Sequence, residues 1–256
     1  MLLATWNVNG IRARLVRVLE FLAERKPDVV ALQELKVKEE EFPYDELRSA
    51  GYEAVLVGQQ SWNGVAVIAK QKPEELVREL PGPNAGARFL VARASGIEIA
   101  SVYVPNGKSV AHPEYPLKVA WLERLAKFVE ARDPSVPFVL CGDFNVCPTD
   151  LDSYLGEKGR GTIHHTVEER ERIARIGTVL VDLYRTKYPT EQGYSWWDYR
   201  AGSFHKRLGM RLDIFFATPS VASRLIDVKI DRDYRKKSKI SKAIPSDHAP
   251  VIAELT

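Results

Sequence analysis

The chain has 256 residues, 45% of them hydrophobic and 28% charged, with a net charge of +3 and a pI near 8.7. This is the composition of a soluble, core-forming protein, and it excludes a disordered, collagen-like or disulfide-scaffold chain. The weak positive charge permits a polyanionic partner without requiring one.

The apolar part of the opening MLLATWNVNG is too short for a secretion signal, and no membrane-length apolar run follows. An intracellular, cytoplasmic protein with no membrane partner is therefore expected. The first predicted strand, LLATWNV, ends in Asn7 and Asn9, two apart and so on one face. In GIRARLVRVLEFLAERK the residues Ile11, Leu15, Val18, Leu19 and Leu22 share a helical face. The strand DVVALQE closes on Gln33 and Glu34. After the strands YEAVLVG, GVAVIAK and FLVARA, IEIASVYV reaches Tyr103, with Asn106 and Lys108 in the loop beyond. A second helix is predicted over 116–129, with Leu117, Ala120, Trp121, Leu125 and Phe128 inward.

The strand PFVLCGD then runs into Asp143-Phe144-Asn145, with Pro148 as its stop. Alternation sets the carboxylate and the amide on one side, where they either brace a turn or hold a water or an ion at the mouth of a sheet. Cys141 and Cys147 flank the pair without metal-binding spacing and read as reduced core residues. His164 and His165 are adjacent, point apart and read as loop residues rather than ligands, before a third helix in VEERERIARI. MRLDIFFAT carries Asp213 inside an apolar strand, where an unpaired carboxylate is costly. Residues 232–242 hold six basic residues against one acid and lead into IPSDHAPVIAEL, whose strand is preceded by Asp247 and His248. That basic run is either a solvated loop or a grip on a polyanion.

Each polar strand end has a plain structural use when taken alone. Their joint occurrence on six strands exceeds what turns require. Strands interleaved with helices, without repeats or linkers, indicate one α/β domain over residues 1–256, and the excess of strands suggests two sheets face to face.

The segments WNVNGIRAR, LQELK, NGVAVIAK, VYVPNG, GDFNVCPTDLD, YSWWDYR, GMRLDIFFAT and PSDHAPV occur in this order. Together they resemble the exonuclease III branch of the AP endonuclease family, and the likeness spans essentially the whole chain. One such motif is only moderately specific; eight in order are strong. The resemblance implies a four-layer α/β/β/α sandwich, two mixed β-sheets with helices outside, shared across the wider superfamily with deoxyribonuclease I, inositol polyphosphate phosphatases, sphingomyelinases and deadenylases. It also implies a Mg²⁺-dependent DNA repair nuclease, with Mn²⁺ an acceptable substitute. The enzyme would cut double-stranded DNA 5′ to abasic sites and trim blocked 3′ ends as an exonuclease, phosphatase or phosphodiesterase, and it would act as a monomer.

On the family pattern Glu34 holds the metal, Asn7 lies beside it and Asp247 is close enough to join, while Asp143 and Asn145 mark a possible second ion. Asp143 deprotonates the attacking water and Asn145 holds the water or the phosphate. His248 donates to a phosphate oxygen, and Asp213 fixes its tautomer. Tyr103 stabilises phosphoryl charge or assists the leaving group, and Asn106 bonds the phosphate. Trp196, Met210 and Leu212 wall a pocket for a flipped-out abasic sugar. Arg12, Arg14, Lys36, Lys108, Lys206 and Arg207 border the site from loops, as backbone contacts.

Three residues depart from the pattern. Met210 stands where many relatives have tryptophan, which loosens the pocket. Asn9 replaces an aspartate of some relatives, which lowers the charge near the metal, and Leu35 replaces a threonine with little expected effect. The alternatives are a same-fold phosphoesterase acting on RNA or another phosphoester, and a non-catalytic nucleic-acid-binding relative. YVPNG and GMRLD argue against the first, and the full set of ligand-type residues argues against the second.

Overall fold

Alternation along β1 (Leu2–Asn7) already sorts the interior. Ala4 and Trp6 pack with Ile11, Val18, Phe21 and Leu22 of α1 (Ile11–Arg25), whereas Leu3 joins a cluster on the opposite face. The computed structural model describes residues 1–256. The chain continues through β2 (Val29–Gln33), α2 (Tyr44–Ser49), β3 (Glu53–Val57), β4 (Val65–Ala69), β5 (Glu74–Val77), β6 (Phe89–Ala94), β7 (Ile97–Tyr103) and α3 (Glu114–Glu130). Next come β8 (Phe138–Asp143), α4 (Val167–Val179), β9 (Val181–Asp182), α5 (Leu183–Lys187), β10 (Trp196–Trp197) and β11 (Gly209–Met210). The last elements are β12 (Asp213–Ala217), α6 (Pro219–Ala222), β13 (Leu225–Ile230) and β14 (Val251–Leu255).

One six-stranded sheet has the order β13-β14-β1-β2-β4-β3, the other β5-β6-β7-β8-β12-β9, and β10 and β11 form a separate ribbon. The pairs β1/β2 and β7/β8 are parallel and their other neighbours antiparallel, so both sheets are mixed. Helix α1 packs on the outer face of the first sheet, and α3 and α4 pack on the outer face of the second. The layers are therefore helix, sheet, sheet, helix, the sandwich that the motifs implied. No helix is long and apolar enough to cross a membrane.

The face between the sheets changes character along the strands. Leu3, Val29, Ala31, Ile99, Val139, Cys141 and Phe215 form its apolar part. One step further lie Thr5, Gln33 and Ser101, where Gln33 Nε2 donates to Thr5 Oγ1 and to Ser101 Oγ, each at 3.1 Å. Two residues beyond Thr5 and Ser101 come Asn7 and Tyr103. Tyr103 is in register with Asp143, and Asp143 with Asp213. The period of two thus carries the core alternation straight into a polar row at one end of the sandwich. Gly142 is needed beside that row, because a Cβ there would lie 2.0 Å from the Val102 carbonyl oxygen.

Three expectations are corrected. Strand β8 stops at Asp143, five residues before Pro148. Asp213 opens β12 rather than sitting inside it. The inward face of α3 is rotated: Leu117 is 66% exposed, and the buried positions are Lys118, Trp121, Leu122, Leu125, Ala126 and Val129. A lysine is normally placed outward, and this one is inward because it has buried partners, described below. Strands β5 and β13 escaped prediction because exposed charges interrupt their apolar pattern.

Candidate active site

Asp143 and Asn145 meet through a turn and not through strand alternation. Asn145 adopts a left-handed φ of 49°. Its N–H donates to Asp143 Oδ1 at 2.9 Å, and its Nδ2 to Asp143 Oδ2 at 3.3 Å. The turn reading of this stretch is what the structure shows, and the carboxylate that braces the turn also meets Asn7 and His248.

Asn7 Nδ2 bridges Glu34 Oε1 at 2.8 Å and Asp143 Oδ2 at 2.9 Å, while its Oδ1 accepts from the Asn9 N–H. Asn9 does not share a face with Asn7. Its φ is 49°, and it reaches Asp247 Oδ1 at 2.9 Å and accepts from Lys36 Nζ at 2.5 Å. Lys36 also pairs with Glu34 Oε2 at 2.9 Å. Asn9, Glu34, Lys36, Lys108 and Asn145 all have positive φ without being glycine. Such conformations disfavour L-residues and persist where the surroundings over-determine them, as at functional sites.

Across the sandwich, His248 Nδ1 donates to Asp213 Oδ2 at 2.8 Å, and His248 Nε2 lies 3.7 Å from Asp143 Oδ2. Burial opposes the charged ring, but Asp213 and Asp143 outweigh it and lift the His248 pKa to about 10. Burial pushes Asp143 up to about 7; His248 opposes the rise, and Asp213 and Glu34 add to it. Burial, then the charges of Glu34 and Asp143, hold the Tyr103 phenol well above its usual range, so it keeps its proton. The Arg88 guanidinium lies 4.6 Å from the Tyr103 ring centroid.

The ligand atoms of Glu34, Asp143 and His248 lie within 4.8 Å of one another. A charged imidazole has no free lone pair, which leaves Glu34 and Asp143 as hard oxygen donors. Two carboxylates fit a small divalent cation that keeps several waters. Asp213 Oδ1, buried and without a partner, adds a further uncompensated oxygen nearby. Asp247 is not within this cluster; its oxygens accept from Asn9 Nδ2 and from Trp196 Nε1 at 3.0 Å. Asn145 is a brace: its Nδ2 also donates to the Val104 carbonyl and its Oδ1 accepts from Asn106 Nδ2.

The Asn145 turn is gripped from behind. Buried Lys118 Nζ donates to the Asn145 carbonyl at 2.6 Å and pairs with buried Glu169 at 2.5 Å. His164 Nδ1 reaches the same carbonyl at 2.5 Å, and burial lowers its pKa to about 3. His164 is thus a neutral donor that buttresses the turn, a role its loop position did not disclose.

A cleft of about 800 Å³ opens from Glu34 and Tyr103 toward Trp62, Arg88, Lys108 and Arg124. Trp62, Arg88 and Arg124 were missed from sequence; the signal available was a tryptophan in the polar stretch QQSWNG, and it is 69% exposed. Trp196 and Met210 line a smaller pocket of about 250 Å³. Leu212 lies in the cluster beneath, packed with Cys147 and Met210. Arg12 and Arg14 are on α1, not in loops, and donate to the Glu41 carbonyl and the Tyr199 hydroxyl. The basic run is divided: Arg232 and Arg235 lie over Phe204, and Arg235 is buried, donating to the Trp197 carbonyl, whereas Lys237 and Lys239 are exposed.

A buried carboxylate flanked by an imidazolium that Asp213 orients, and by oxygen donors for a cation, suits phosphoester hydrolysis, in which charge spreads over phosphoryl oxygens. The chain belongs to the Endonuclease/Exonuclease/phosphatase family, whose profile matches residues 4–248. An exodeoxyribonuclease III of Haemophilus influenzae is 34% identical, over 98% of this chain and 98% of its own. Among solved structures, the 3′–5′ exonuclease NExo of Neisseria meningitidis superposes with a TM-score of 0.94 at 36% identity, covering 100% of this chain and 99% of its own. An AP endonuclease of Archaeoglobus fulgidus superposes with a TM-score of 0.93 at 34% identity and the same coverage.

Proposed function

We propose that this protein is a metal-dependent DNA repair nuclease of the exodeoxyribonuclease III type, hydrolysing the phosphodiester 5′ to abasic sites and processing blocked 3′ ends as a monomer. The observation that carries this reading is the row Tyr103, Asp143 and Asp213, with Asn7 and His248 both approaching Asp143 Oδ2 and Glu34 joined to it through Asn7.

In this reading Asp143, beside charged His248, takes the proton of the attacking water. Charged His248, oriented by Asp213, turns Nε2–H toward a non-bridging oxygen, and Tyr103 offers its hydroxyl proton to the phosphoryl or leaving oxygen. Asn106 keeps one amide N–H beyond its bond to Asn145 for the phosphate. Glu34 and Asp143 would hold Mg²⁺, with Mn²⁺ as a substitute; when bound, the ion supplies Lewis-acid neutralisation of the phosphoryl and leaving oxygens. Trp196 and Met210 receive the sugar of an abasic nucleotide, which flips at low cost because its base is already gone.

Nicking of a duplex oligonucleotide, followed against Mg²⁺ concentration, tests the metal assignment. Glu34→Gln is expected to raise the Mg²⁺ needed for half-maximal rate by at least about tenfold, and chelation is expected to stop cleavage. Full rate in chelator, or an unchanged Mg²⁺ requirement, would contradict it.

The exposed part of the basic run contributes affinity and not sequence choice. Replacing Lys237 and Lys239 with Ala should reduce the slope of log affinity against log salt by about 0.9 for each phosphate no longer neutralised. An unchanged slope would show that this loop is solvated only.

A further inference from the structure

Successive residues on a strand point to opposite faces, so Trp197, paired with Gly209, turns away from Trp196 and Met210. On that other face lies a separate cavity of about 680 Å³, bounded by α5, the edge strand β13 and the loop before β11. Nothing in the reaction described above uses it.

Its walls combine two kinds of group. Tyr154, Tyr184, Tyr194 and Trp197 supply aromatic surface. Arg207, Lys229 and Arg232 supply three cations, and none of them is salt-bridged to a carboxylate, although most arginines of this chain are. Asp227, the carboxylate on this wall, accepts from the Tyr188 hydroxyl at 2.9 Å. Arg232 lies 5.3 Å from the Trp197 ring centroid, and burial and then the charge of Arg207 hold its pKa below the ordinary value. Two guanidinium groups that repel each other gain from an anion between them.

Trp197 closes the cavity on its inner side. Trp197 is 1% exposed, and its indole Nε1–H is buried without an acceptor. The indole nitrogen packs against Gly209, where a Cβ would lie 2.4 Å from it, so Trp197 is a packed wall of the cavity whose N–H resonance reports on changes there. Tyr154 and Leu208 also line the smaller pocket that holds Trp196 and Met210, so the two cavities adjoin.

We propose that this cavity is an accessory nucleotide site, with a base against the tyrosines and a phosphate on Arg207, Lys229 and Arg232. Aromatic faces beside cations recognise this chemistry without reading sequence. The nucleotide could be free or could be one unit of an unpaired strand; the binding chemistry is shared. The site does not require the nuclease reading: Arg207, expected at the border of the Asp143 site, lines this cavity instead, and the other cations and aromatics here have no part in that site.

The test is an NMR titration of the Trp197 indole N–H, assigned with Trp197→Phe, in chelator so that cleavage plays no part. The probes are deoxythymidine monophosphate and a short single-stranded oligo(dT). Either probe should shift the Trp197 resonance, and Arg207→Glu with Lys229→Glu should weaken that binding by about tenfold or more. Arg207→Ala alone serves as a milder variant. Equal affinity for both probes assigns the site to a free nucleotide, and much tighter oligo(dT) binding assigns it to a strand. No shift with either probe, or a shift undiminished in the charge-reversed protein, overturns the proposal.

Discussion

Asp143→Asn is expected to lower kcat by roughly 10²- to 10⁴-fold while leaving the fold and the binding of duplex DNA in place. The substitution keeps the size of the side chain and an oxygen for the Asn145 N–H, but an amide cannot accept a proton from water. It also removes a buried negative charge beside His248, so binding of a polyanion should hold or tighten. Single-turnover cleavage and equilibrium binding, measured in parallel, separate the two effects. A kcat within about tenfold of wild type would remove Asp143 from the role of base.

Lys118→Met is expected to be among the most destabilising single changes outside the apolar core. Lys118 and Glu169 are both fully buried. Burial depresses the Lys118 pKa and Glu169 opposes that shift, so the pair survives only as a pair. Removing the lysine strands the Glu169 charge and costs about 3–5 kcal/mol, visible as a melting temperature lower by about 10 °C. Lys118→Met with Glu169→Gln should recover much of this, because glutamine can still serve the Thr166 cap. The single variant should also cleave more slowly, since Lys118 grips the carbonyl of the Asn145 turn. Loss of less than about 1 kcal/mol would mean that the pair is not the buried clamp its geometry indicates.

How much of this was legible in the sequence depends on the distance over which each signal acts. Period-two patterning located β1, β2, β7 and β8 and placed Asn7, Tyr103 and Asp143 at their ends, because burial acts on every second residue. The cost of an unpaired buried acid marked Asp213, although its partner His248, 35 residues away, came from the motif resemblance. Local alternation failed where the strand had already stopped: Asn9 and Asn145 take left-handed turns, so the distance of two residues no longer meant one face. Lys118 was invisible because its inward direction is decided by Glu169, His164 and the Asn145 carbonyl, all brought to it by the fold. Arg235 was misread for a related reason, since a basic run gives no sign that one member will be buried under a carbonyl. The cleft residues Arg88, just before β6, and Arg124, on α3, come from segments that meet only in the folded chain.

On the proposed function, the row around Asp143 cuts DNA on the 5′ side of an abasic nucleotide. The most direct measurement is the position of the nick in a duplex oligonucleotide carrying one abasic analogue, with Mg²⁺, beside the same duplex without the analogue. A single early nick immediately 5′ to the analogue is expected, lost in Asp143→Asn, with the intact duplex degraded only slowly from its 3′ ends. Cleavage that ignores the analogue, or none from folded protein supplied with Mg²⁺, would contradict it.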